Sequence, residues 1–394
     1  MFILQDLSLV VCGMNARKAD KGDKIITLRD STLREGLETP QIRLSELNKI
    51  EIFKLLSDLG VSEFEVIGPS YSQKRTSFLS SLNHAKAVKK SGIIPLVNSN
   101  IASRLKRFIE FGISHVDLLL HVSEVRLQAL FSANSSSKTD VVIEHFQKGI
   151  SEARKASYKS IGIGLGDVFR ADIKLVSSLV EYLTEFQPER FILYDTVGVA
   201  LPLQVLNLVE VLSQITSVPL FCHFHNDMGM ATANTIIALE KGVAGCDVTI
   251  GGLGDRSGNA SLEEVALIAE HRLGLRTGIK LSQLTGISKT IRKILNLLDE
   301  RRLPIVGDFA FLHSTPSHFK TILSGQYDAY EPYPPELVGQ ARCFQISDTS
   351  EFTLASKEWC RQRGIYNPRI ELLAKRDRGQ IVTEKELMEL LNGA

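Results

Sequence analysis

The sequence predicts an α/β protein: a TIM (β/α)8 barrel followed by a small, mainly helical C-terminal subdomain. Three observations lead there. Short β-branched runs alternate with longer amphipathic ones, the short runs are nearly continuously apolar, and eight such units fill the length of roughly 250 residues that a barrel needs. The strand candidates are 25–33, 62–67, 92–97, 114–120, 159–165, 189–195, 218–225 and 246–251. Between the first two lies "SELNKIEIFKLLSDLG", where Leu47, Ile50, Phe53, Lys54 and Leu56 keep the spacing of a one-sided helix and Gly60 supplies its stop. A doubly wound open sheet fits less well, because eight units without an obvious edge strand overfill it. After "LEEVALIAEHRLGL" the pattern turns to helices, the turn-rich "YDAYEPYPPELVG", and a last helix opened by a Thr383/Glu386 capping box. The expected organisation is an N-terminal extension over 1–23, a catalytic barrel over 24–278 and a helical subdomain over 279–394.

Bulk properties narrow the function classes. With 46 basic against 45 acidic residues, the net charge of +1 gives no electrostatic case for nucleic acid or membrane as a partner. The five cysteines show no CxxC spacing, so neither a disulfide framework nor a thiolate zinc site is indicated, and a reducing, cytoplasmic setting is expected. The opening "MFILQDLSLVV" is apolar, but Gln5 and Asp6 interrupt it and no basic residue precedes it, which argues against a signal peptide or membrane span.

Barrels carry their chemistry at the C-terminal ends of the strands. Strand seven ends in "CHFHND", and residues i and i+2 of a strand share a face about 6.5–7 Å apart, close enough for His223 and His225 to bind one ion. Alone, such a pair is more often an ordinary polar strand end. The other strand ends add Arg34 and Glu35, Glu65, Asp195 and Thr196, and the loop "GGLGDRSGNA" with Asn259. Two imidazoles, a carboxylate and an amide oxygen make a mixed site suited to a divalent ion with open positions. The glycine loop has GxGxxxG spacing after the last strand, a weak dinucleotide signal and a better anion-facing turn. Arg34 with Glu35 could equally be a plain ion pair, and Asp195 with Thr196 could simply cap the next helix.

"TLREGLETP", "LYDTVGVALP", "HFHNDMGMATAN" and "GGLGDRSGNASLEE" resemble, in order, the signature segments of the Claisen-condensing TIM-barrel metallolyases, a superfamily that holds isopropylmalate synthase, homocitrate synthase and hydroxymethylglutaryl-CoA lyase. The resemblance runs from residue 25 to about 390. It implies that Arg34 polarises the keto oxygen of a substrate, that Glu65 orients Arg34, and that Glu35, His223, His225 and Asn259 surround a divalent ion such as Mg, Mn or Zn. It further implies substrate contacts from Thr196, which would bind a 2-oxo acid carboxylate, and from Arg170, Glu38 and Asn100.

Within that superfamily the tail favours the synthases. "PIVGDFAFLHSTPSHFKTILSGQYDAYEPYPPELVG" is similar to the segment through which synthases send a histidine and a tyrosine into the partner subunit's site, here His318 and Tyr330, and a homodimer is expected. The lyase needs a cysteine in the glycine loop, where this chain has Asp255 and Arg256, although "REGLE" and "NSNIASRLKRFIEFG" are lyase-like. Leu37 and Glu38 stand where synthases have Glu-Gln, and Gly166 replaces a glutamate. The resulting expectation is acetyl-CoA condensing with a 2-oxo acid in amino-acid biosynthesis, with lyase-like cleavage as the alternative. A metal-dependent hydrolase and a barrel that has lost its chemistry remain as other classes. His121, at the end of the fourth strand, is held in reserve as a further substrate contact.

Overall fold

The computed structural model describes residues 24–68, 76–82, 88–97, 100–131, 138–297, 301–347, 349–365, 367 and 369–392; the expected extension over 1–23 lies outside them. The chain divides into two compact units, 1–279 and 280–394.

The first unit is a closed barrel of eight parallel strands in sequential order. These are β1 (Thr27–Asp30), β2 (Glu63–Ile67), β3 (Lys89–Pro95), β4 (His115–His121), β5 (Ser160–Gly166), β6 (Phe191–Asp195), β7 (Leu220–Phe224) and β8 (Gly245–Val248). Every predicted strand is present. Closure comes from β1 on β8, with Thr27 opposite Gly245 and Asp30 opposite Val248. Around the strands run α1 (Glu46–Leu59), α2 (Thr76–Ser81), α3 (Ile101–Glu110), α4 (Glu124–Leu130), α5 (Lys138–Lys155), α6 (Ile173–Thr184), α7 (Pro202–Ile215), α8 (Ala231–Glu240) and α9 (Leu262–His271).

Helix α1 shows how packing overrides a simple stripe. Ser45 caps its N-terminus by accepting the Asn48 N–H, and Gly60 ends it in the left-handed conformation. Its buried face is Lys49, Ile52, Phe53, Leu56 and Leu59, whereas Leu47 is exposed. The spacing from Leu47 is therefore one register off, because the Lys49 stem is buried while its ammonium is tied to Glu46. Phe53 meets Phe64 of β2 with ring centroids 4.5 Å apart, a buried contact in which each side chain contributes roughly 1.5–3 kcal/mol.

The barrel interior is not simply apolar. Arg29 of β1, fully buried, bonds at once to Asp247 of β8, Ser91 of β3 and Asp117 of β4, a reach possible only across the lumen. Arg190, at the start of β6, pairs with Glu63 and Asp117. Ile93, Ile192, Tyr194 and Phe221 form an apolar cluster among buried residues. Unpaired, such buried charges would each cost several kcal/mol, so removing one partner of a pair costs far more than the pair itself contributes.

The second unit carries α10 (Leu284–Ile294), α11 (Pro316–Leu323), α12 (Ser350–Gln362), α13 (Ile370–Arg376) and α14 (Glu384–Leu391). It also contains a sheet that the sequence did not suggest: β9 (Leu312–His313), β10 (Cys343–Gln345) and β11 (Ile381–Thr383), in the order β11-β10-β9. Runs of two or three residues are too short to show a period of two. Phe319, Phe344, Phe352, Trp359 and Leu387 form its core, and Thr383 with Glu386 makes the capping box of α14.

Candidate metal centre and active site

Strand β1 ends in a turn that presents two functional side chains. The N–H groups of Arg34 and Gly36 both donate to the Ser31 carbonyl, and a short 3-10 helix over Glu35–Glu38 follows. Thr32 is pinned on both sides: it donates to Asp30 and accepts the Ile250 N–H from beyond β8. The Arg34 guanidinium contacts the carboxylates of Glu35 and Glu65, while Ser31 also donates to Glu65 at 3.0 Å. Arg34 is thus held in a fixed orientation by two anions, Glu35 in the 3-10 turn after β1 and Glu65 on β2.

Strand β7 supplies the imidazoles. Ligand atoms of Glu35, His223 and His225 all lie within 4.8 Å of one another, and the two rings stand 5.0 Å apart, nearly edge-on. His223 Nδ1 is 2.9 Å from Asp247 Oδ2, and His225 Nε2 is 3.8 Å from Glu35. Asn259 is brought beside His225 by a backbone bridge between the two residues. Its Nδ2 donates to the Leu253 carbonyl, and its Oδ1 is buried without a hydrogen-bond partner. Carboxylate, imidazole and amide donors of this kind suit a divalent ion, and an orphaned buried amide oxygen beside them strengthens the fit.

The remaining predicted residues are placed as follows. Thr196 Oγ1 accepts the Asp167 N–H at 2.8 Å, which leaves its own proton available to donate. Asp195 does not cap the next helix, whose N-cap is Leu201; it accepts the Val199 and Ala200 N–H groups and so ties down the loop after β6. Arg170 is committed to Asp167 through Nε and Nη2. Glu38 is exposed and, with Leu33, Arg34, Leu37 and Ile67, lines a cavity of about 130 Å³. Asn100 is exposed just before α3 and caps nothing with its side chain. Arg256 donates to both carboxylate oxygens of Asp227 and to the Thr196 carbonyl, so it braces the loops after β6, β7 and β8. In the second unit, the His318 and Tyr330 rings are stacked with centroids 3.7 Å apart. Beside them His313 bonds to Glu331, which Arg342 grips with two bonds of 2.6 Å.

Two further side chains stand out: Asp247, which no sequence motif singles out, and His121, the reserve substrate contact. Asp247 sits inside β8, and only its alternation with Gly245 and Thr249 could have placed it in the lumen. His121 lies opposite Gly166 in the β4–β5 register, and a Cβ at position 166 would come within 2.5 Å of its Nδ1. Gly166 therefore makes the room that the imidazole fills. Burial, then the Arg126 charge, pulls the His121 pKa down to about 4, and burial, with His223 and the Arg256 and Arg34 charges close by, pulls that of His225 down to about 2.

Both folded values lie below the unfolded one, so the native state refuses protons that the unfolded chain accepts. Stability from each is complete above about pH 6.5 and is lost as pH falls toward the folded value. In metal-free protein, His121→Gln should lose less stability than the parent between about pH 7 and pH 5, by roughly 1–2 kcal/mol in urea unfolding. Parallel losses would contradict a neutral His121.

Fold and site together define a TIM barrel with a mixed nitrogen and oxygen donor set beside an arginine that two carboxylates hold. The chain belongs to the HMGL-like family, whose model matches residues 25–291. It is 30% identical over 325 residues to the (R)-citramalate synthase CimA of Methanocaldococcus jannaschii, an alignment covering 81% of this chain and 63% of that protein. To the homocitrate synthase of Saccharolobus solfataricus it is 30% identical over 326 residues, covering 82% of this chain and 68% of that protein. The HMG-CoA lyase structure of Bacillus subtilis superposes with a TM-score of 0.59 at 25% identity, over 71% of this chain and 97% of the lyase. The chain thus spans less than two thirds of the citramalate synthase it matches.

Proposed function

We propose that this protein condenses acetyl-CoA with the keto carbon of a 2-oxo acid and releases free CoA, as a homodimer in cytoplasmic amino-acid biosynthesis. The observation that carries the reading is the convergence of Glu35, His223 and His225 on one barrel mouth beside Arg34 and Glu65, in a chain related to synthases of this kind. A divalent ion held by Glu35, His223, His225 and Asn259 would supply a template and Lewis acid for the keto oxygen and carboxylate of the acid.

The chain's own groups divide the remaining work. Arg34, aligned by Glu65, places its guanidinium charge where negative charge grows on the keto oxygen. The Thr196 hydroxyl donates to the carboxylate of the acid. A base takes a proton from the thioester methyl group, a role assigned to the partner subunit's His318, and the carbon freed of that proton forms the new bond to the keto carbon, whose oxygen is protonated in turn. Water then hydrolyses the thioester, giving CoA thiol and a hydroxy acid with one more carboxylate than the 2-oxo acid. That hydrolysis makes the sequence strongly downhill. Cleavage of the lyase type fits less well, because the glycine loop, residues 251–259, contains no cysteine and its Arg256 is engaged with Asp227.

The test is CoA release, read with a thiol reagent, from acetyl-CoA and each of pyruvate, 2-oxoisovalerate, oxaloacetate and 2-oxoglutarate. At least one acid should drive release that a chelator abolishes and added divalent ion restores. Turnover of hydroxymethylglutaryl-CoA with no response to any acid would overturn the reading. A monomeric mass in light scattering of active protein would remove the homodimer from it.

A further inference from the structure

His223 is the member of the candidate metal centre whose second ring nitrogen has a built partner. Its Nδ1 lies 2.9 Å from Asp247 Oδ2, on a neighbouring strand. Asp247 is itself immobilised: Arg29 donates through Nε to Oδ1 at 2.5 Å and through Nη2 to Oδ2 at 2.9 Å. Arg29 is anchored in turn by Asp117 on β4 and by Ser91 on β3, at 3.2 Å from its Nη1. None of these side chains is more than slightly accessible. The line Arg29, Asp247, His223 runs from β1 through β8 to β7 and ends at a candidate ligand, and it stands without Asp117, since Asp247 and Ser91 also hold Arg29.

We propose that Asp247 is a positioning residue for metal binding: it accepts the Nδ1 proton of His223, fixes the ring and tautomer, and leaves the Nε2 lone pair for the ion, while Arg29 keeps the carboxylate in place. An imidazole in water divides its proton between two nitrogens and turns about two bonds. Here the acceptor on one side removes both freedoms before the ion arrives, and a carboxylate acceptor makes the other nitrogen a stronger donor. Among the described residues no carboxylate stands behind His225 Nδ1, and the ring has the Gly258 backbone beside it instead. His223 is thereby the pre-oriented ligand, and Asp247 is the residue that makes it so. The alternative is that Asp247 merely neutralises Arg29 in the core. Asp117 does that too, without touching His223, and provides the internal control.

The proposal rests on the metal reading of Glu35, His223 and His225, and the experiment separates the two. Zn2+ binding to metal-stripped full-length protein is measured by equilibrium dialysis for the parent, Asp247→Asn and Asp117→Asn, with urea unfolding of each in parallel. Asp247→Asn should weaken binding about 10- to 100-fold, whereas Asp117→Asn, at a comparable loss of stability, should stay within a few-fold of the parent. Equal affinities in the parent and Asp247→Asn overturn the positioning role and leave the metal site standing. No Zn2+ binding by the parent overturns both. Nitrogen-15 spectra of histidine-labelled, metal-free parent protein provide a readout that needs no variant to fold: the His223 proton should reside on Nδ1, and a proton on Nε2 contradicts the proposal.

Discussion

Protein with His223→Ala and His225→Ala together should bind no divalent ion and lose more than about a thousandfold in acid-dependent CoA release, which corresponds to roughly 4 kcal/mol of transition-state stabilisation. The expected size follows from what the two imidazoles supply. They are two of the three groups whose ligand atoms lie within 4.8 Å, and Glu35 alone cannot hold an ion against water. The fold should survive. Both residues stand at the end of β7, and Asp247 keeps its two bonds to Arg29 when His223 is gone. Circular dichroism and urea unfolding would then show an intact barrel, destabilised by about 1–3 kcal/mol for the lost packing and hydrogen bond. Retained activity in this folded, metal-free variant would remove the metal from the mechanism.

Arg34→Lys should lower kcat by about 10²–10³ while divalent ion remains bound. A lysine keeps the charge but cannot bridge Glu35 and Glu65 with a planar fork, so under the proposed role the cation would no longer face the keto oxygen in a fixed direction. The loss should fall mainly on kcat, because the interaction strengthens as the oxygen gains charge. A change confined to KM would instead assign Arg34 to ground-state binding. Metal content should match the parent, since Glu35, His223, His225 and Asn259 are untouched. That separates this variant from the histidine pair.

Much of this architecture could be read from the sequence because strand and helix periods are local. Each of the eight apolar runs proved to be a strand, and the polar residues that follow them lie at the strand ends, where a barrel must place its chemistry. What could not be read depends on partners distant in sequence. In "TLRD", Arg29 looks like an interruption of an apolar run, and only closure of β1 on β8 brings it to Asp247, 218 residues away. The same holds for Asp247, whose importance comes from standing next to β7. Leu47 misled for another reason: with a buried lysine stem available, two stripes compete on α1, and the helix chose the one through Ile52, Leu56 and Leu59. The small sheet of the second unit stayed hidden because its strands are shorter than the period that would reveal them.

The most direct measurement follows the new bond. Acetyl-CoA carrying carbon-13 in its methyl group, incubated with the protein, divalent ion and the 2-oxo acid that best drives CoA release, should give a hydroxy acid with one carboxylate more than that 2-oxo acid, its label in a methylene next to the carbinol carbon, together with one CoA thiol per product molecule. The label should be absent from the product when the ion is removed or when His223→Ala/His225→Ala protein is used. Label that stays in acetyl-CoA or free acetate with every acid, alongside conversion of hydroxymethylglutaryl-CoA to acetoacetate, would contradict condensation and establish cleavage in its place.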